Sequence, residues 1–227
     1  MKKKLFIFSI LAVMMFGLSA CSGSKIDLKD YIIEERTTLY TASDSLYNVS
    51  LSTGMREQDY NLDGIRNEMV EFGVLTISRN DSEPLANDNY YYTVTIGEEI
   101  LTGSLIPSQI DNSYTVDLER KFSEDSVINV EISFTGYTFN EDLTNTSQDF
   151  SVDLETALEI ANQELASELS NMSKLNPNIE VVTKILKDYS SEELKRYYWY
   201  VGVISGDGDT LGLLIDANSG EVIAKKV

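Results

Sequence analysis

Residues 128–134 have the sequence Ile-Asn-Val-Glu-Ile-Ser-Phe, in which apolar and polar side chains alternate. Neighbouring side chains of a β-strand point to opposite faces, so this alternation predicts a strand with one buried and one solvated face. The same period of two recurs upstream in segments 46–51, 72–77, 92–96, 100–106 and 114–118. Turn residues separate these segments and no long helical pattern interrupts them. Residues 31–139 are therefore predicted to form an antiparallel β-sandwich, for which an immunoglobulin-like strand order is one option.

The pattern changes in the last third of the chain, residues 150–227. Apolar residues recur at steps of three and four from Leu154 to Met172, which predicts one amphipathic helix with Asp153 as its N-cap. Four strand-like runs follow, at 179–186, 197–204, 210–215 and 221–224, and tight-turn signals join the last three. One helix on a small antiparallel sheet is an α+β module. The polar, turn-rich residues 140–149 are predicted to link it to the sandwich.

The C-terminal region also carries a family resemblance. Residues 214–223 are Leu-Ile-Asp-Ala-Asn-Ser-Gly-Glu-Val-Ile, the strand at 198–203 is Tyr-Trp-Tyr-Val-Gly-Val, and the helix at 153–161 is rich in Ala and Leu. Together they resemble a PepSY domain, which begins with an alanine-rich helix and ends in a Val-Asp-Ala-x-Thr-Gly-Glu-Val hairpin. Ser219 stands where Thr is usual in the family, and Ile215 where Val is common.

The resemblance implies a small module without catalytic residues. Such modules occur in propeptides of thermolysin-type metalloproteases and in bacterial envelope proteins, where they are thought to restrain peptidases. The hairpin motif also has an architectural explanation. The Asp216 side chain can cap the turn, and Gly220 can adopt a positive φ.

The N-terminus has the pattern of a secretion signal. Three lysines at positions 2–4 precede an apolar run at 5–18 that is too short to span a bilayer comfortably. The following Leu18-Ser19-Ala20-Cys21 resembles the lipobox of bacterial lipoproteins, which implies cleavage before Cys21 and attachment of diacylglycerol to its sulfur. Residues 1–20 are thus predicted to be a lipoprotein signal peptide, and residues 21–30 a lipidated tether. The alternative is an ordinary secretory signal that leaves Cys21 as a free thiol.

Composition narrows the cellular location and the classes of partner. Acyl chains on Cys21 would hold the protein on the extracytoplasmic face of the cell membrane. Cys21 is the only cysteine, so no internal disulfide can form, which favours a Gram-positive envelope. A net charge of -19 disfavours nucleic acid as a partner. The absence of histidine excludes Ser-His and Cys-His catalytic pairs and zinc sites built on imidazole.

The most ligand-like stretch lies between two predicted strands. Asp59, Asn61 and Asp63 alternate before Gly64 and resemble the first half of an EF-hand calcium loop. Position 12 of such a loop would be Val70, which cannot supply the usual bidentate carboxylate. The alternative is an Asx-rich surface loop. Apart from this candidate Ca²⁺ site, no cofactor is predicted.

A run of aromatic residues at 197–200 supplies the candidate binding surface. Trp199 and Tyr200 could contact a protein or a carbohydrate if their rings are exposed, and would otherwise fill the core. The leading prediction is a non-catalytic protein-binding or regulatory module whose partner is an envelope protein, with a peptidase as the implied partner. One alternative is an envelope protein that binds glycan or calcium through the sandwich loops. Another is a hydrolase that uses a pair of carboxylates.

Overall fold

The structure is a computed structural model that describes residues 26–58, 67–81, 83–109, 111–120, 122–123, 125–175, 178–187 and 196–227. Cys21 and the calcium-like residues Asp59, Asn61 and Asp63 lie outside these ranges. Within them, the chain forms twelve β-strands and two α-helices, which confirms the prediction of a mainly β protein with a small α+β part. None of the helices in the described ranges has the length and apolar character needed to cross a membrane.

The first eight strands form a closed barrel. They are β1 (Ile32–Ser43), β2 (Tyr47–Glu57), β3 (Met69–Arg79), β4 (Tyr90–Ile96), β5 (Glu99–Pro107), β6 (Tyr114–Leu118), β7 (Ile128–Phe134) and β8 (Tyr137–Asn145). Their order is β1-β2-β3-β6-β5-β4-β7-β8, and β8 pairs with β1 through Tyr40↔Asn145 and Thr41↔Thr144. The predicted sandwich is therefore wrong, because closure gives one continuous interior instead of two facing sheets.

The interior of the barrel is filled by side chains from every strand. Buried aliphatic residues occupy the alternating inward positions that the sequence pattern predicts. At one end five aromatic rings pack with neighbouring centroids 4.3 to 5.4 Å apart. These rings belong to Tyr47, Tyr90, Tyr114, Phe134 and Tyr137. The barrel is thus a packed core at this end.

Strands β1 and β8, which the period-of-two analysis did not identify, are the ones that close the barrel. Phe139 and Leu143 are the buried residues of β8, and the seven others face solvent fully or in part. This composition explains why residues 140–149 resemble a linker. They instead contain the second half of β8 and a short 3-10 turn at Ser147–Asp149.

The C-terminal part has the predicted arrangement of helix and sheet, with one change. It consists of α1 (Leu154–Glu164), α2 (Ala166–Leu175), β9 (Ile179–Lys187), β10 (Tyr197–Ser205), β11 (Thr210–Asp216) and β12 (Val222–Lys226). The expected single helix is interrupted at Leu165, whose φ and ψ of -103° and 8° are not helical. Asp153 caps α1, because its carboxylate accepts a hydrogen bond of 2.8 Å from the Thr156 amide.

Strand β1 belongs to both parts of the molecule. Its first residues pair in parallel with β9, through Ile32↔Val181 and Arg36↔Lys184, before its later residues pair with β8. The register shifts between Arg36 and Thr38. Gly54 of β2 lies opposite this irregularity, and a Cβ at this position would lie 1.8 Å from the Glu35 carbonyl oxygen. A glycine is therefore required where β1 changes partners.

The segment before β1 packs on the C-terminal module. Leu28 begins a 3-10 turn (Leu28–Tyr31) and is fully buried in the same core as α1 and β9. Its amide donates a hydrogen bond of 3.3 Å to the Asn162 side chain of α1. The predicted tether of residues 21–30 is therefore too long at its C-terminal end. The folded chain includes residues 28–30.

Candidate functional site on the C-terminal sheet

The sheet of strands β9 to β12 has two different faces. Odd-numbered residues of β10, such as Val201 and Val203, are buried in the core that contains α1 and α2. Even-numbered residues such as Tyr198, Tyr200 and Ile204 point to the opposite face and are half-buried. We call this opposite side the second face of the sheet.

Trp199 lies in the core and not on a binding surface. Its side chain is 3% exposed, and its indole Nε1 donates a hydrogen bond of 2.8 Å to the Val152 carbonyl. Val152 immediately precedes the capping residue of α1, so this bond fixes the start of the helix over the sheet. Of the two alternatives for Trp199, an exposed binding surface or the core, the structure supports the core. Its odd position in β10 places it under the helices.

Tyr200 lies on the second face, flat against the backbone of two strands. A Cβ at Gly202 would lie 2.6 Å from its hydroxyl oxygen, and one at Gly212 would lie 3.5 Å from its ring. The missing side chain at Gly202 thus leaves the space that the ring occupies. The Nζ atom of Lys184 lies 5.6 Å from the centre of the same ring, within the range of a cation–π contact.

The second face continues from the C-terminal sheet onto the outside of the barrel. Directly paired residues form one row across six strands, namely Leu214, Tyr200, Lys184, Arg36, Gly54 and Phe72. The guanidinium carbons of Arg36 and Arg56 lie 5.3 and 4.6 Å from the Phe72 ring centre. Phe72 itself is fully buried beneath these two groups. We call Tyr200, Lys184, Arg36 and Arg56 the sheet-face patch.

The three cations of the sheet-face patch differ in their partners. Arg36 donates to the Glu34 carboxylate at 2.7 Å, and Arg56 donates to the Asp117 carboxylate at 2.6 Å. For Lys184, no carboxylate of the described residues lies within salt-bridge distance. Burial lowers the pKa of Lys184, and the charge of Arg36 acts in the same direction. The carboxylates of Glu34 and Asp111 act against this shift.

Asp216 and Gly220 shape the hairpin between β11 and β12. The Asp216 carboxylate accepts hydrogen bonds from the amides of Asn218 and Ser219, at 3.0 and 2.8 Å. The bond from Ser219 is the main cause that lowers the pKa of Asp216. Gly220 has a φ of 74°, which a side chain would strain. Both residues have a structural role in this turn.

Two surface cavities lined by described residues lie beside the helices. The larger has a volume of about 650 Å³ and lies between the segment 26–32 and α1, with Ile32, Leu154 and Leu158 among its apolar lining residues. The smaller, of about 520 Å³, lies between α2 and the β10–β11 hairpin. Among the residues that the structure describes, no three His, Cys, Asp or Glu side chains are grouped so that they could hold a metal ion.

Comparison with protein families identifies one domain. Residues 151–226 match the family model described as PepSY, "Peptidase propeptide and YPEB domain", which supports the resemblance of the C-terminal module. The propeptide description fits a non-catalytic role for this part of the chain. The match begins after the last strand of the barrel. Comparisons with curated proteins and with solved structures give no match.

Proposed function

We propose that this chain is a lipoprotein, anchored through Cys21 to the extracytoplasmic face of the membrane, that binds another envelope protein without catalysing a reaction. We further propose that the partner is a peptidase and that the C-terminal module restrains it. The observation that carries this proposal is the match of residues 151–226 with a peptidase propeptide domain. Restraint of a peptidase requires a binding surface and no reactive group of the module itself.

The proposed anchor would keep the binding module near the membrane. Cys21 lies seven positions before Leu28, which is buried in the C-terminal core. A fully extended segment of this length spans at most about 25 Å. A lipid on Cys21 would therefore hold the C-terminal module within this distance of the bilayer surface. This geometry favours a partner that is itself attached to the membrane or works beside it.

Site-specific photocrosslinking in intact envelopes tests the proposal. A photoreactive residue at Ile204, on the second face, or at Glu159, on α1, is expected to crosslink to one defined protein. The same residue at Val127, which is 73% exposed on the barrel, provides the control and is not expected to give that product. We expect mass spectrometry to identify a peptidase, and the purified full-length protein to inhibit it.

Two results would contradict the proposal. Crosslinks that form equally from Val127 would show that the C-terminal module does not determine binding. A Cys21→Ser variant that remains in the membrane fraction after processing would show that the lipid is not the anchor. The expected result for this variant is release from the membrane and loss of the crosslink.

A calcium-binding role for the loop after β2 is the second candidate function, and one observation favours it. Glu57 is the last residue of β2, two positions before Asp59, and its side chain is 1% exposed. One carboxylate oxygen accepts a hydrogen bond of 2.9 Å from the Asn67 amide, and the other has no hydrogen-bond partner. A buried carboxylate oxygen without a partner is costly, and a hard cation would satisfy it.

Thermal unfolding of the soluble ectodomain, which we define as residues 22–227, in the presence of calcium tests this second candidate. Millimolar Ca²⁺ is expected to raise Tm if it binds the folded state alone. Glu57→Gln and Asp63→Ala should each abolish the rise, while Asp207→Asn, in a distant hairpin tip, should preserve it. An unchanged Tm with Ca²⁺ would exclude this function.

A further inference from the structure

We propose that the sheet-face patch binds an extended segment of the partner protein, and that a carboxylate of that segment pairs with Lys184. This inference rests on the proposed function, since it assumes that the C-terminal module binds a protein. It adds the surface that binds and the chemistry that the partner must present.

Lys184 has a central position in the sheet-face patch. It lies in the middle of the cross-strand row, between Tyr200 on β10 and Arg36 on β1. Its ammonium group faces the Tyr200 ring at 5.6 Å. The two arginines of the patch are each held by a carboxylate of this chain, at 2.7 and 2.6 Å. Within the described ranges, Lys184 is therefore the cation of the patch that an incoming carboxylate would find available.

Charge complementarity identifies the partner as acidic. The chain has 37 acidic and only 18 basic residues, and both arginines of the sheet-face patch are already paired with carboxylates. The positive charge that this face offers to a partner is therefore that of Lys184. A half-buried ammonium group without an ion-pair partner reduces stability, and a carboxylate from outside offsets this cost. The surrounding acidic surface repels carboxylates elsewhere. An acidic segment would therefore be directed to this face.

The shape of the patch favours an extended segment with an apolar residue beside the acidic one. The Tyr200 ring covers Gly202 and fills the space that a side chain there would occupy. In an extended chain, side chains two positions apart point the same way and are separated by about 7 Å. This spacing is comparable to the 5.6 Å between the Lys184 Nζ atom and the Tyr200 ring. One side chain can thus reach the ammonium group while the other packs on the ring.

The first test uses stability. Lys184→Met keeps most of the length of the side chain and removes the half-buried charge. We expect Tm to stay the same or to rise by up to about 2 °C, because the free protein loses an unpaired cation. A fall in Tm of more than about 2 °C would show that Lys184 stabilises the free protein. This result would overturn the proposal that Lys184 serves to bind a carboxylate of the partner.

The second test uses a defined ligand with the full-length ectodomain. The probe is a synthetic eight-residue peptide, Ser-Asp-Ser-Val-Ser-Asp-Ser-Val, in which Asp and Val lie two positions apart and face the same side of an extended chain. It is compared with a version that has Asn in place of Asp. Amide chemical shifts of β9 and β10 are expected to respond to the Asp peptide. Lys184→Met should weaken its binding at least tenfold, while Lys174→Met, an equal loss of charge at an exposed position of α2, should leave binding unchanged. Equal binding of the Asn peptide, or full binding to Lys184→Met, would overturn the inference.

The two proposals can fail separately. If the Asp peptide does not bind the patch but crosslinks still form from Glu159, the patch is not the binding surface and the proposed function stands. If no position of the C-terminal module gives a crosslink, the proposed function fails. In that case, binding of the Asp peptide to wild type but not to Lys184→Met would still support a carboxylate site.

Discussion

Gly54→Ala is expected to reduce the free energy of unfolding by about 4 kcal/mol or more, an effect among the largest for single substitutions. The added Cβ would lie 1.8 Å from the carbonyl oxygen of Glu35 and 3.0 Å from the Cα of Arg36. Both are backbone atoms, so no side chain can rotate away. Relief would require β1 and β2 to separate beside the irregularity at Arg36 and Thr38.

Chemical unfolding followed by far-UV circular dichroism measures this change, with Gly212→Ala as the matched control. Gly212 is also a strand glycine, but the nearest atom to an added Cβ is 3.5 Å away. Alanine should be tolerated there and can stabilise the strand by about 0.5 kcal/mol. Similar stabilities for the two variants would mean that β1 and β2 do not approach as closely as described.

Trp199→Ala is expected to cost about 3–5 kcal/mol, the typical loss for truncating a buried aromatic residue. The substitution removes the largest side chain under the helices and leaves the Val152 carbonyl without its donor at 2.8 Å. Trp199→Phe separates the two effects, because it keeps an aromatic ring in the core. It should cost about 1–3 kcal/mol through the lost hydrogen bond and the smaller ring.

An exposed aromatic residue provides the comparison for Trp199. Tyr91 is 55% exposed on the barrel, and Tyr91→Ala is expected to change stability by no more than about 0.5 kcal/mol. The ranking Trp199→Ala, Trp199→Phe, Tyr91→Ala should hold in unfolding by urea. A Trp199→Ala variant as stable as wild type would indicate that Trp199 is not in the core, and would restore it as a surface candidate.

The sequence predicts the C-terminal module well because its signals are local. The helical period from Leu154 onward, the cap at Asp153 and the turn at Asp216 to Gly220 each depend on residues close in the chain. The break at Leu165 was not predicted, since no glycine or proline marks it. Closure of the barrel is not local. It depends on pairing between β1 and β8, about 100 residues apart, and β8 has too few apolar residues to be recognised as a strand.

The candidate site was harder to predict than the fold. Tyr200 belongs to an aromatic run visible in the sequence, but its neighbours in the patch come from strands far away. Lys184 and Arg36 become neighbours only through the parallel pairing of β1 with β9, and the register of β1, β2 and β3 places the buried Phe72 in the same row. For Trp199, both the surface and the core remain open from the sequence, because alternation shows that adjacent residues face opposite sides, but not which side the helices cover.

The sharing of β1 between the barrel and the C-terminal sheet also determines how the molecule would respond to mechanical load. β1 lies between β2 and β9, and its N-terminal end continues into the buried turn at Leu28. A pull on that end acts along the strand, so the hydrogen bonds to both neighbours bear the force together in shear. A pull in this direction does not break these hydrogen bonds one after another. A force applied at the turn before β1 is therefore distributed over the neighbouring strands of the sheet.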